Sequence, residues 1–292
     1  MMKKNLLREI SPLTPSDCFT IFSRTKTEFN CSLHNHEEYE LNFIQNAKGA
    51  KRIVGDHMEE IDEFELVLVG ANLQHAWFTH NCKSSDIREI TIHFHKDLFD
   101  EKLLRRKQLS FIRSMFEKSS RGILFSNETT QQLSSRIIEL NQKRGFDSVL
   151  EFMSILHNLS TSRNMRILSD STFNPVVYTN NSRRIDKIVE YMNRNFDKTV
   201  SLAEVSRISR MSEVSFSRFF KSQTGNTFID SLTEIRLGHA SRMLIDTTQS
   251  ISEIAYHCGF NNISNFNRIF KKRKGCTPSE FRESSPGTRI FI

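Results

Sequence analysis

SISEIAYHCGFNNISNFNRIFKKRKGCTPSEFR, residues 250–282, is the stretch from which the rest of the chain can be read. Ile251, Ile254 and Ala255 mark one face of a short helix. Gly259 offers a residue that turns the chain at positive φ, and Phe260 leads it back to a core. In the helix that follows, Ile263, Phe266, Ile269 and Phe270 recur at three- and four-residue steps, which puts Ser264, Asn265, Asn267, Arg268 and Lys271 towards the other side. That outer face is short, polar and cationic. Asn matches an adenine edge, Arg a guanine edge and Lys a phosphate, which is what a helix entering a major groove requires. A helix pair with a Gly between its members is also an ordinary structural unit, so one copy alone does not establish a DNA reader.

The chain carries a second copy. SLAEV at 201–205 returns as SISEI at 250–254, a separation of 49 residues, and FSRFFK at 216–221 returns as FNRIFK at 266–271, a separation of 50. With these residues the chain is similar to the AraC/XylS family of bacterial transcription regulators, whose DNA-binding domain holds two helix-turn-helix units. The resemblance covers about residues 183–284 and is most specific at Gly259, Phe260, Phe266, Arg268, Phe270, Lys271, Gly275, Thr277, Pro278, Phe281 and Arg282. The first copy departs at Ser206, where the family has Ala, and at Arg210, in the turn where Gly is easiest. By position in the family motif, Val214, Ser217, Arg218 and Lys221 of the first unit face DNA. Ile263, Ser264, Asn265, Asn267, Arg268 and Lys271 do so in the second. The resemblance further implies an activator that meets RNA polymerase, a homodimer, and an N-terminal domain that receives a small-molecule effector, a sugar among the candidates.

The formal charge of +7 supports a polyanion partner for one part of the chain only. From Val176 to Ile292, 18 Lys and Arg stand against 11 Asp and Glu, whereas the remainder has 23 of each. At 292 residues, 37% of them apolar and 26% charged, the chain has the length and composition of two globular domains. The N-terminus MMKKNLLREISPL lacks an apolar run of signal-peptide length. Nor does any stretch approach the roughly 20 apolar residues of a membrane span, so a cytoplasmic address is expected. Cys18, Cys31, Cys82, Cys258 and Cys276 are scattered and form no C-x-x-C pair, which suits idle thiols.

Between Cys18 and His95, the segments FTIFSR, YELNFIQ, AKRIVG, FELVLVG and EITIHFH are short, β-branched and often alternating. Turn residues separate them, which indicates a sandwich or small barrel. In the resembling family this position holds a cupin-like β-barrel, and HNHEEYELNFI with FELVLVGANLQHAWF resembles the paired cupin motifs. H-x-H-x3-E on one strand would point His34, His36 and Glu40 into one cavity, where His75 from another strand would meet them. Three readings follow: an organic-effector pocket, which is the leading one; an N3O site for Fe, Mn, Ni or Zn; or structural histidines at a strand end. No resident cofactor is expected. Trp77 shares a strand face with His75 and either holds a flat ring there or packs in the core.

From Asp97 to Met165, three apolar stripes at helical spacing follow: Leu98 to Phe116, Leu133 to Leu140, and Val149 to Leu159. SDSTFNPVVYTNNS, 169–182, follows neither period and reads as a linker. Thr227–Asp246 carries one long stripe, including Phe228, Ile229, Leu232 and Ile235, which would make a single helix tying the two reading units together. The expected fold class is α+β with two domains. Residues 1–168 form a cupin-like effector-binding and dimerisation domain, 169–182 the linker, and 183–292 an all-α double helix-turn-helix domain. The expected function is a ligand-responsive, non-enzymatic transcription regulator. Its rivals are a metal-dependent cupin enzyme with a DNA-binding tail and a DNA binder that answers to no ligand.

Overall fold

A computed structural model describes residues 7–9, 13, 17–29, 33–170 and 180–283. Cys31, residues 171–179 of the expected linker, and residues 284–292 lie outside the described residues. The chain divides into two compact units, Met1–Thr179 and Asn180–Ile292.

The first unit begins with nine strands: β1 (Leu7–Arg8), β2 (Phe19–Lys26), β3 (His34–Asn35), β4 (Tyr39–Gln45), β5 (Lys51–Val54), β6 (His57–Glu60), β7 (Phe64–Val69), β8 (His75–Phe78) and β9 (Ile87–Phe94). It continues through α1 (Glu101–Leu104), α2 (Ser110–Ser119), β10 (Ile123–Leu124), α3 (Asn127–Leu140), α4 (Gly145–Thr161) and β11 (Arg166–Ile167). Two sheets result. One has the order β1-β3-β8-β5-β6 and the other β11-β10-β7-β4-β9-β2. The central strands of the second sheet are covered on both faces: β4 and β7 are buried along nearly their whole length, although β4 alternates apolar residues with Glu40 and Asn42. On one face Ile44, Val67 and Val69 meet Val54 and Trp77 of the first sheet and Leu73 of the loop before β8. On the other, Leu41, Phe43, Leu66 and Leu68 meet Met115, Ile137, Phe152 and Ile155 of α2, α3 and α4. The expected helical stripes are therefore the cover of this sheet, although Leu103 and Phe111 turn outwards and are exposed.

The second unit is helical: α5 (Asn180–Arg194), α6 (Leu202–Ser209), α7 (Glu213–Thr224), α8 (Phe228–Asp246), α9 (Ile251–His257), α10 (Ile263–Lys274) and α11 (Pro278–Glu283). Its repeat is visible in the caps. Ser201 with Glu204 and Ser250 with Glu253 form complete capping boxes at the starts of α6 and α9. Gly225 and Gly275 close α7 and α10, and Thr227 and Thr277 accept from the backbone of Asp230 and Glu280 to start α8 and α11.

The shift in repeat spacing has a local cause. Met211 donates its backbone N–H to Ser206 as Phe260 does to Ala255, both at 2.9 Å, so the turns begin alike. α7 is then capped at once by Ser212, whereas Asn261 intervenes before the Asn262 cap of α10. The departures in the first unit are also accommodated. The buried Ser206 hydroxyl donates to the Ala203 carbonyl at 2.9 Å, and Arg210 takes up the left-handed conformation at φ 55°.

α8 runs unbroken for 19 residues and packs against α5, α7, α9 and α11. Ile229 is a correction to the expected buried stripe: it is 62% exposed. Successive helical residues differ by about 100° in direction, and in this first turn Phe228 takes the inward place. Leu237, Ala240 and Leu244 form a core with Ile254, Ala255, Phe260, Phe266 and Phe270 of the second repeat.

Candidate functional site

The outer faces of α7 and α10 are open. Val214, Ser217, Arg218 and Lys221 are exposed on α7, and Ser264, Asn265, Asn267, Arg268 and Lys271 on α10. Phe216 and Phe220 in one helix, and Phe266 and Phe270 in the other, occupy the opposite face and are fully buried. Burial of these pairs orients the polar residues outwards. Ile263 differs from the rest of its set, since it is half-buried and packed on the second repeat's core. Arg268 donates to the Asn265 side-chain oxygen at 2.9 Å, which aligns the two along one helix edge. Val214, at 62% exposure, offers a branched apolar group of the kind that meets a thymine methyl.

α10 ends on Lys271, Lys272, Arg273 and Lys274, whose charge complements the helix C-terminus. Arg273 is committed to α8, with contacts of 3.1 Å to both Asp230 and Glu234. A second tie involves Arg236 of α8, which donates to the carbonyls of Phe196 at 2.8 Å and Lys198 at 2.7 Å. Its guanidinium also lies 5.9 Å from the Phe260 ring centroid. Arg236 therefore holds the loop after α5 against the turn of the second repeat.

In the N-terminal unit, His34, His36, Glu40 and His75 are all buried, and one ligand atom from each lies within 4.8 Å of the others. The single-strand picture of the H-x-H-x3-E segment is corrected here. His34 belongs to β3 of one sheet, Glu40 to β4 of the other, and a bend at 37–38 carries the chain between them. His34 pairs with His75 in the β3–β8 register. The cluster is thus a meeting point of the two sheets.

Two participants escaped the sequence reading. His93 lies opposite Glu40 in the β4–β9 register, and its Nε2 is 2.9 Å from Glu40 Oε2. The same oxygen is 3.1 Å from His36 Nε2 and 3.3 Å from His75 Nε2. Glu9, next to β1, takes the Nε2 of His34 at 2.8 Å. Burial alone would raise the Glu40 carboxyl, but His75 and the close contacts of His36, His75 and His93 with it hold it well below the usual carboxylate range. Burial lowers His75, assisted by the His34 charge; His93 is also opposed by burial, yet Glu40 raises it.

Trp77 is 3% exposed and belongs to the core between the sheets. Its ring stands edge-on to His75 with centroids 5.9 Å apart. The indole N–H donates to Glu65 at 2.8 Å, and Glu65 pairs in turn with the buried Arg52. The indole therefore borders the cluster while its polar atom is used in the core.

Residues 205–284 match the helix-turn-helix domain family. The transcriptional activator RhaS of Mannheimia succiniciproducens is 28% identical over 167 residues, covering 55% of this chain and 62% of that protein. The bifunctional transcriptional activator/DNA repair enzyme AdaA of Bacillus subtilis is 34% identical over 104 residues, 36% of this chain and 49% of its own length. The chain thus spans less than two thirds of either relative. Among solved structures, ToxT of Vibrio cholerae aligns over 93% of this chain and 100% of its own with a TM-score of 0.44 and 16% identity.

Proposed function

We propose that this chain, whose C-terminal unit is an AraC-type helix-turn-helix domain, is a sequence-specific DNA-binding transcription regulator. The observation that carries the reading is the pair of open faces on α7 and α10, equivalent helices of two repeats joined by one long helix. On these faces Arg218 and Arg268 occur at matching positions, as do Lys221 and Lys271. Each repeat thus offers one group suited to a base and one suited to a phosphate. Double-stranded DNA is the partner.

The names of the relatives favour an activator, which acts by meeting RNA polymerase and works in the cytoplasm beside the chromosome. In this reading the domain boundaries stand at 168 and 183, the helices of the first domain serve a homodimer, and catalysis has no part. The first domain receives a small-molecule effector at His34, His36, Glu40 and His75, bordered by Trp77. The test is to incubate the purified full chain with fragmented genomic DNA and sequence the retained fragments. A shared motif of two boxes is expected. Retention without any common sequence at physiological salt removes the reading, since phosphate contacts alone bind all sequences alike.

A further inference from the structure

Two charged pairs in the helical cover of the first unit behave differently. Glu101 pairs with Arg105 four residues later, in the order that a helix favours. Arg113 and Glu117 of α2 have the same spacing in the reverse order, and neither side chain makes a hydrogen bond or ion pair among the described residues. Their placement also opposes the helix dipole, since Arg113 is among the first four residues of α2 and Glu117 among the last four. Sequences break such local preferences where a function requires it. These two residues line a groove of about 570 Å3 between α1, α2 and Tyr39 of β4, a volume in the range of small-molecule sites. The Tyr39 ring is stacked on Phe94 and Phe116, with centroids 5.3 and 5.0 Å away, which fixes its hydroxyl. Burial pushes the phenol pKa up, so the hydroxyl stays protonated and can donate. It has no hydrogen-bond partner among the described residues, and neither have the Ser110 and Ser114 hydroxyls that share the groove.

We propose that this groove binds one free α-amino acid with a large apolar side chain, its carboxylate on Arg113, its ammonium on Glu117 and its side chain against Leu104 and Phe116. Charge decides the class. With Glu101 and Arg105 satisfied by each other, the groove offers one cation and one anion, their Cβ atoms about 6 Å apart. A simple organic anion would meet the Glu117 carboxylate, and a simple cation the Arg113 guanidinium, whereas a zwitterion answers both. The hydroxyls of Tyr39, Ser110 and Ser114 supply further donors to a carboxylate, whose oxygens accept several bonds. Leu104 and Phe116 belong to the apolar core of the helical cover, so the wall they form gains from an apolar partner. Tyr39 and Glu40 are neighbours on β4 and point to opposite faces of the sheet, which separates this groove from the histidine cluster. The site is thus additional to the effector reading of that cluster, and neither it nor DNA binding rests on the other.

The test titrates L-leucine, L-isoleucine, L-methionine and L-phenylalanine separately into the full chain by calorimetry. At least one should bind at one per chain and raise the melting temperature. Its N-acetyl and carboxamide derivatives, each lacking one of the two charges, should bind at least about tenfold more weakly. Arg113→Gln and Glu117→Gln should each weaken the free amino acid by at least about tenfold. Arg113→Gln should no longer distinguish it from the carboxamide, nor Glu117→Gln from the N-acetyl derivative. Both positions are exposed, so these variants keep the fold, which circular dichroism checks. Tyr39→Phe keeps the ring stack, loses the hydroxyl and should weaken binding severalfold. Absence of binding by all four amino acids at about 10 mM overturns the site. Undiminished binding in both α2 variants overturns it too, since the amino acid then sits elsewhere. An N-acetyl derivative that binds as well as the free amino acid overturns the zwitterion.

Discussion

A β-carbon at Gly259 would come within 2.4 Å of the carbonyl oxygen of Phe196 and within 2.9 Å of the Arg236 guanidinium that donates to it. Gly259 also sits at φ 75°, where side chains are disfavoured, so the second repeat's turn requires glycine on two counts. Gly259→Ala should destabilise the C-terminal unit by at least about 2 kcal/mol. At the matching position of the first repeat, Arg210→Gly should be neutral or stabilising by up to about 1 kcal/mol, because Arg210 bears the same conformation with a side chain. Denaturant unfolding of both variants checks the pair, and equal effects would contradict the argument.

Arg268 and Lys271 should separate into base reading and anchoring. Arg268→Ala is expected to cost about 1–3 kcal/mol and to relax preference at one base pair. Lys271→Ala should weaken all sequences alike and reduce the salt slope by about one. Affinities measured on a set of singly substituted sites, at several salt concentrations, distinguish these outcomes. An Arg268→Ala protein with unchanged affinity and preference would show that this helix meets DNA in another register.

The spacing between the two reading helices should be fixed. α8 has 19 residues, about 28 Å at a rise of about 1.5 Å each, close to the roughly 34 Å of one duplex turn. Five base pairs inserted between the boxes turn one to the opposite face, and binding should collapse. Ten restore the face but not the distance, and binding should recover only in part. If both insertions bind like the native site in a gel-shift assay, the units are not rigidly coupled.

Arg236 is a positioning residue in that coupling. Arg236→Lys keeps the charge but loses the planar fork that reaches two carbonyls at once. Affinity for a two-box site should fall about tenfold, or about 1.4 kcal/mol, with little change for a single box. Parallel titrations of the two DNAs give the comparison. Equal losses on both would mean that Arg236 maintains the fold in general, not the coupling.

Trp77 is the chain's single tryptophan and borders the cluster, so its emission should report occupation there. A ligand that alters transcription should alter this emission, and His75→Ala should weaken its binding. Equal binding to wild type and His75→Ala, measured calorimetrically, would remove the cluster from sensing.

The longer strands and all the reading helices were legible because their apolar period is long enough to count. The buried Phe216, Phe220, Phe266 and Phe270 also fix the outward residues by exclusion. The cluster was legible only in part. His34, His36 and Glu40 are close in sequence, but β3 has two residues and gives no period to read. His93 sits in EITIHFH like any alternating position, and only the antiparallel register brings it to Glu40, 53 residues away. Glu9 joins through β1, another two-residue strand. Ile229 was misread because an apolar residue in a helix's first turn fits a stripe in sequence whether or not anything covers it.

The matching caps at Thr227 and Thr277 identify α8 and α11 as the same member of the repeat, long in one copy and short in the other. Two copies in head-to-tail succession have no internal twofold axis, and their reading faces differ, Val214 and Ser217 standing where the later copy has Ser264 and Asn267. A single chain bound through both faces therefore has a polarity on the duplex. Its site has a front and a back, so reversing that site relative to a promoter exchanges which end of the protein faces the transcription start, even when every base contact is preserved.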